Sequence, residues 1–409
     1  MNKIHRNYKR LSIWILLFTQ ILLIMSYFYL KVDNVALKSE KISFVNSPQE
    51  EQIKLTYHTS DSRIFLKSIN SRTKFIDFNS SLCYTNGTDL VSMKRSKQFN
   101  WQCSCLPGWH GKDCGQPEVI WRALLTYRKP LKITGPRTFE RRIIYVFSVD
   151  KFSETIAEIR INELGSIVDL FILYEDKRSD FLQHKLNNNF AKQYHDKILY
   201  LKTNNIDNAL HLVKNLRDDD IILNSNGNEI PNKFAINFLK YYNKWPEPIR
   251  FRLRWSVYGF FWVHPSKTII TGGACSVSYL RGVFNNRIKL LNDNKTLSNP
   301  LYKGIILGDL NHYGGWYCEY CYDIAQILEF LATKFHNAIN LEKMHQKKID
   351  NAFLEDLIEN GLYIDAKTEL LRTHRYRDSY FAPYYVMENN WNYDFLLINL
   401  YSKIDYYEG

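Results

Sequence analysis

The sequence predicts an α/β domain built on a largely parallel sheet, and two observations carry that reading. Runs of buried-strand character recur through the middle of the chain, at 143–149 (IIYVFSV), 167–174 (IVDLFILY), 198–201 and 221–223. Between the first two, residues 154–164 place Ile156, Ile159, Ile161 and Leu164 near helical spacing. Strand–helix–strand alternation of this kind gives parallel strands joined by helical crossovers. Ligands in such sheets sit beyond the carboxyl ends of the strands, so chemistry is expected just after Leu223. With 409 residues, 45% of them hydrophobic, the chain suits one large domain with smaller attachments.

The first thirty residues predict a compartment. Residues 1–10 carry Lys3, Arg6, Lys9 and Arg10 and no acid, a basic cytoplasmic tail. Residues 11–30 (LSIWILLFTQILLIMSYFYL) are mostly apolar and, as a helix, span about 30 Å, a bilayer core. The run ends in Tyr27, Phe28, Tyr29 and Leu30 rather than the small residues of a cleavage site, so an anchor is expected. Residues 31–82 are polar and aperiodic, a stem holding a luminal domain off the membrane. The topology is type II. Four of the twelve excess positive charges are therefore topology signals, and no nucleic-acid signature accompanies the rest. The 28 Tyr, 24 Phe and 9 Trp suit a large core or a sugar-stacking cleft.

Four of the seven cysteines cluster within 83–117. The segment CSCLPGWHGKDC (103–114) resembles the C-terminal half of an epidermal-growth-factor-like module, truncated because a full module has six cysteines. That resemblance implies a Cys105–Cys114 bridge and leaves Cys103 for Cys83. A zinc site is the alternative; it is disfavoured by the oxidising compartment and by the lack of a spaced His pair. Cys275, Cys318 and Cys321 remain, which reads as one disulfide and one free thiol. Asn79, Asn86 and Asn294 head glycosylation sequons, consistent with a luminal domain.

Beyond the 221–223 strand the chain reads Asn224-Ser225-Asn226-Gly227-Asn228-Glu229-Ile230-Pro231. The run DDIILNSNGNEIP resembles the family-17 glycosyltransferases, whose strand ends in Asp-x-Asp-Glu-Ile-Pro. Blocks at 160–176 (RINELGSIVDLFILYED), 245–262 (WPEPIRFRLRWSVYGFFW), 314–321 (GGWYCEYC) and 381–397 (FAPYYVMENNWNYDFLL) are similar to that family in the same order. The resemblance covers about 140–401. It implies a GT-A-like, Rossmann-type nucleotide-sugar domain, luminal in the Golgi membrane. It also implies UDP-GlcNAc as donor and the β-linked mannose of an N-glycan core as acceptor, joined in the bisecting β1,4 linkage.

The same resemblance implies that Mn²⁺ or Mg²⁺ is held against the donor diphosphate at the positions of Asn226 and Asn228. A hard cation wants anionic oxygens, and here both positions are amides. The family's Gly-Trp-His is Gly315-Trp316-Tyr317. Two readings follow. In one, the chain is a divergent transferase whose donor is held by Asn226, Asn228, Arg252, Arg254, Trp316 and Tyr317. Cationic side chains from the acid-free stretch 250–289 then stand in for part of the metal's charge. Because Arg250, Arg252 and Arg254 alternate with Phe251, Leu253 and Trp255, the same residues equally read as the solvated face of a strand. In the other, the fold persists as a catalytically impaired, glycan-binding or scaffolding protein. A third class, an adhesion ectodomain using its Cys-rich segment, is separated from both by deleting 83–117.

Inverting transfer to a sugar hydroxyl needs one general base, usually a carboxylate. Glu229, Asp309 and Glu319, with Asp323 behind them, are candidates by position. Trp255, Trp262 and Trp316 are candidate sugar or uracil platforms, with core packing as the alternative for each.

Overall fold

The computed structural model describes residues 17–26, 57–78, 81–95, 102–127, 129–293, 296, 299, 302–334 and 349–402. Residues 1–54 form one unit and Leu55–Gly409 a second, compact one. In the first, residues 17–26 are helical. No helix among the described residues is long and apolar enough to cross a membrane. The remainder of the expected 11–30 span, the basic tail and most of the stem lie outside the described residues, as do the sequons at Asn79 and Asn294.

The second unit is built on a ten-stranded sheet. Its path runs β7 (Ile198–Lys202), β6 (Leu170–Glu175), β5 (Ile143–Ser148), β8 (Ile221–Asn224), β11 (Gly259–Ser276), β10 (Ile249–Val257), β13 (Gly315–Glu319), β9 (Glu229–Pro231). Two short strands, β12 (Ile305–Leu307) and β14 (Leu371–Arg372), pair with β10 and β11. Only β5 to β8 form the parallel block the sequence predicts. The other half is mixed: β11 runs antiparallel to both β8 and β10, and β13 is parallel to β10 but antiparallel to β9. The long β10–β11 hairpin carries the chain away from the parallel pattern, so the expectation of a largely parallel sheet holds for half of it.

The parallel half is apolar on both faces because both are covered. Tyr145, Phe147, Phe171 and Leu173 point into one core, and the alternating Ile144, Val146, Leu170 and Ile172 into another. The helix Glu154–Leu164 is buried on most of its surface, with only a narrow, partly exposed stripe of Glu154, Thr155, Glu158 and Asn162. Ala157, Ile161 and Leu164 enter the first core, and Ile156 and Ile159 enter a third, beneath β10, β11 and β13. Each such large side chain withdrawn from water stabilises the fold by about 1.5–3 kcal/mol.

Buried charge ties the block together at its amino ends. The guanidinium of Arg142, 1% exposed, forks onto both oxygens of Asp220 at 2.8 and 2.5 Å, linking the starts of β5 and β8. Asp218, by contrast, pairs with Arg281 at the surface. Lys240 bridges Glu140 at 3.0 Å and Asp169 at 2.9 Å. The acidic run before β8 thus serves the scaffold.

The cysteine-rich segment packs on the same unit. β1 (Phe75–Asp77) pairs with β2 (Leu82–Tyr84), and β3 (Trp109–His110) with β4 (Gln116–Pro117). Disulfides join Cys83 to Cys103, Cys105 to Cys114 and Cys318 to Cys321, and Cys275 is a buried free thiol. Tyr84 lies between Trp109 of the knob and Tyr241 of the helix Lys233–Tyr241, with ring centroids 5.4 and 6.0 Å away. Asn86, the described sequon residue, is exposed on this knob.

Candidate active site

Chain order places a crevice beside β8. From β5 the chain moves outward to β6 and β7, then returns to lay β8 on the other side of β5, and the turn 225–228 leaves from that switch point. The turn closes through Glu229 N donating to Asn226 O at 3.4 Å.

Arg160 shapes it from below. This fully buried guanidinium donates from Nη2 to the carbonyls of Asn226 at 2.7 Å and Gly227 at 2.5 Å, and from Nη1 to Ser225 Oγ at 3.2 Å. It sits 4.2 Å from the centroid of Phe147 and 5.7 Å from that of Tyr145, whose hydroxyl meets Ser225 Oγ at 2.6 Å. Gly227 packs against Ser153, where an added Cβ would come within 2.9 Å of the serine Cβ.

Glu229 is 1% exposed. Its Oε1 accepts from Asn226 Nδ2 and from Thr271 Oγ1, both at 2.8 Å, while Oε2 has no hydrogen-bond partner among the described residues. Burial pushes this carboxyl above its ordinary range, opposed by the Thr271 bond and by the charge of Arg160. Gly272 crosses beside it at φ +65°, and a Cβ there would lie 2.9 Å from Glu229 Oε2. Asn292 completes the ring, donating from Nδ2 to Asn226 Oδ1 at 2.6 Å and accepting from Gly272 N at 3.1 Å.

Register then sets a face. Glu229 pairs with Tyr317 across β9 and β13, and Tyr317 with Trp255 across β13 and β10, so these three share one side of the sheet. Asn228 accepts from Cys318 N at 3.0 Å through its carbonyl, and its side chain hydrogen-bonds Tyr317. Trp255 donates from Nε1 to Glu319 Oε2 at 2.8 Å and stacks on His264 at 3.8 Å. Burial raises the Glu319 carboxyl above its ordinary value, against the opposing effect of hydrogen bonds from Trp255 and Tyr363. The face therefore carries two amides, a phenol, an indole and two carboxyls, Glu229 and Glu319, both raised by burial.

The next residue in each strand faces the other way. Arg254 and Trp316 are partners on the opposite side, 1% and 5% exposed, and both donate to the Tyr380 carbonyl. Arg254 also pairs with Asp378 at 2.8 Å. The expected donor set is thus divided by strand alternation, with Asn226, Asn228 and Tyr317 together and Arg254 and Trp316 beneath them. Arg252 is half-buried and donates to Thr268 at 3.2 Å.

Nor does the acid-free stretch 250–289 converge on the turn. Arg281 reaches Asp218, Lys289 donates to Asn204 O, and Lys267 is exposed within β11. Asp309 closes its own loop, accepting from Asn311 N and His312 N at 2.8 Å. Burial opposes its ionisation, but those donors prevail and hold it below its ordinary value. Asp323 accepts from Gln326 N at a helix start, and Trp262 donates to Ile358 O within the third core. Neither reaches the crevice.

A hard dication does not fit this donor set. Oδ1 of Asn226 is occupied by Asn292 and Oε1 of Glu229 by two donors, and the amide of Asn228 adds no charge. Glu229 Oε2 is then the one open carboxyl oxygen among these three residues, too few anionic ligands for such an ion. Among the described residues no group of three or more His, Cys, Asp or Glu is placed to hold a metal.

The comparisons with known proteins agree with the family blocks in the sequence. The chain is similar to β-1,4-mannosyl-glycoprotein 4-β-N-acetylglucosaminyltransferase. It is 27% identical over 348 residues to that enzyme from human, rat and mouse, a match covering 76% of this chain. The chain spans 64% of the length of these relatives. No family model matches it.

Proposed function

We propose that this chain is a glycosyltransferase of GT-A-like architecture. On this reading it moves GlcNAc from UDP-GlcNAc to the β-linked mannose of an N-glycan core, in the bisecting β1,4 linkage, from a type II anchor in the Golgi membrane. The observation that carries the reading is the Asn226–Glu229 turn at the switch point of the parallel block, joined by β9 to the Tyr317 strand. The similarity to β-1,4-mannosyl-glycoprotein 4-β-N-acetylglucosaminyltransferase supplies the donor and acceptor classes.

The chemistry follows from the face just described. The acceptor hydroxyl oxygen attacks the anomeric carbon of the donor, the bond from that carbon to the diphosphate oxygen breaks, and its electron pair leaves on UDP. The hydroxyl proton passes to a carboxylate. Glu319, raised by burial and sharing the face with Tyr317 and Trp255, is our choice of base.

The test is GlcNAc transfer by the purified full-length chain to a biantennary glycan, run in Mn²⁺ and again in EDTA. Transfer in both supports the reading; no transfer in either removes it. A second reading, a glycan-binding protein without turnover, is favoured by the two amides at 226 and 228. Asn226→Asp with Asn228→Asp separates them: activity that appears only in the double variant with Mn²⁺ marks the natural chain as an impaired enzyme.

A further inference from the structure

A groove of about 540 Å³ runs along the other side of the β9–β13 edge, between the disulfide knob and the loop 375–380. Six aromatic side chains line it: Trp109 from the knob, Phe234, Trp316, Tyr376, Tyr380 and Tyr384. Phe234, Tyr376 and Tyr384 are 39%, 79% and 53% exposed. Aromatic faces left open together in a concavity mark a binding surface.

Three features identify the ligand chemistry. Flat aromatic faces take the C–H faces of pyranose rings. Polar side chains between the rings, Lys233, Arg375, Arg377 and Ser379 among them, supply hydroxyl partners. The charges cancel: Lys233, Arg375 and Arg377 stand against Glu118, Glu163 and Asp378, three of each sign. A balanced lining suits a neutral ligand better than a nucleoside diphosphate.

Position supplies the rest. Strand β9 leads from Glu229 of the candidate site to Asn232 in the groove, three residues or about 10 Å. Trp109 is held rigidly at the far wall. A Cβ on Gly87 would come within 2.7 Å of its ring, and the Cys105–Cys114 disulfide closes the loop that carries it. Trp109 also meets Phe234 edge-on at 5.6 Å, joining knob and domain into one surface.

We propose that this groove is an oligosaccharide-binding subsite, with the cysteine-rich knob as one wall, that holds a neutral branch of the acceptor glycan while the reaction proceeds beyond Glu229. The choice of an N-glycan as ligand rests on the transferase reading; the binding chemistry does not.

The experiment titrates the full-length chain with a neutral biantennary N-glycan ending in GlcNAc, and separately with UDP, by calorimetry, alongside the transfer assay. Tyr376→Ala and Phe234→Ala each weaken glycan binding by about 10-fold and leave UDP binding within about 2-fold. Trp391→Ala, an aromatic 75% exposed outside the groove, changes neither. Glycan binding that ignores both groove variants, or is lost together with UDP binding, overturns the proposal. So does a wild-type chain that binds no glycan. Glycan binding that depends on the groove without any GlcNAc transfer leaves the subsite standing and removes the transferase reading. Transfer that is indifferent to the groove variants does the reverse.

Discussion

Asn292 donates a 2.6 Å hydrogen bond to Oδ1 of Asn226, while the Nδ2 of Asn226 donates to the buried Glu229 carboxylate at 2.8 Å. The amide at 226 is thus used at both ends. Its oxygen takes a donor and its nitrogen supplies one, and an aspartate can do only the first. What reads in the sequence as the loss of a metal ligand is, in the structure, the gain of a cross-link between the turn and residues 288–292.

Asn226→Asp therefore has a structural cost of its own. It sets a second carboxylate against Glu229 Oε1 and removes a donor from a buried acceptor, which costs about 1–3 kcal/mol. Thermal unfolding in EDTA should show a lower midpoint than the natural chain, and Mn²⁺ should restore it. The natural chain should show no Mn²⁺-dependent shift. A midpoint raised by Mn²⁺ in the natural protein would contradict the donor-set argument.

Arg160 is expected to matter more than any cation of the β10 strand. Arg160→Met leaves the carbonyls of Asn226 and Gly227 without their buried donor and Glu229 without its nearby positive charge. The expected loss is about 3 kcal/mol in urea unfolding. Arg160→Lys keeps the charge but not the fork, and should fall between. Equal stability of the Met variant and the natural chain would show that the turn holds itself.

How much of this was legible beforehand depends on how local the signal is. β5 to β8 were legible because strands covered on both faces are continuous apolar runs, and the turn after β8 followed from chain order. Arg160 was not, because one charge among Ile156, Ile159 and Ile161 reads as a solvent-facing position. Its partners are the carbonyls of a turn 66 and 67 residues away. Asn292, 66 residues beyond Asn226, carries no local mark at all. The sequence groups Arg254 and Trp316 with the donor set, whereas strand alternation puts them on the opposite side. The groove combines a knob tryptophan with residues past 370, a pairing that only the packing of the knob on the domain creates.

The Glu319 carboxyl gives a pH signature with a definite sign. Burial raises its folded pKa above the unfolded value of about 4.3, so the folded state holds more protons than the unfolded state in the window above that value. Its contribution to stability is fully present below the unfolded pKa and is lost as pH rises through the folded one. Glu319→Gln carries no titration, so its unfolding midpoint should fall less steeply above about pH 4.3 than that of the natural chain. Identical slopes in urea titrations at several pH values would mean that Glu319 titrates as it does in the unfolded chain.

Thiol chemistry separates the seven cysteines into classes. Cys275 is fully buried, and burial pushes its thiol well above the ordinary range, so an alkylating reagent should not reach a thiolate in the native state. Without reductant, the denatured chain should take up one reagent molecule and the native chain none, read by intact mass. With the bridges removed genetically, the two classes of disulfide should differ in cost. Replacing both Cys83 and Cys103 by Ser opens a loop of sequence separation 20 and should cost about 3 kcal/mol; the same change at Cys318 and Cys321, of separation 3, should cost about 2 kcal/mol. Because the Cys105–Cys114 bridge closes the loop that carries Trp109, replacing that pair by Ser should weaken glycan binding as well as stability, whereas loss of Cys318–Cys321 should leave glycan binding intact. A knob variant that loses stability while binding glycan as before would detach the knob from the groove.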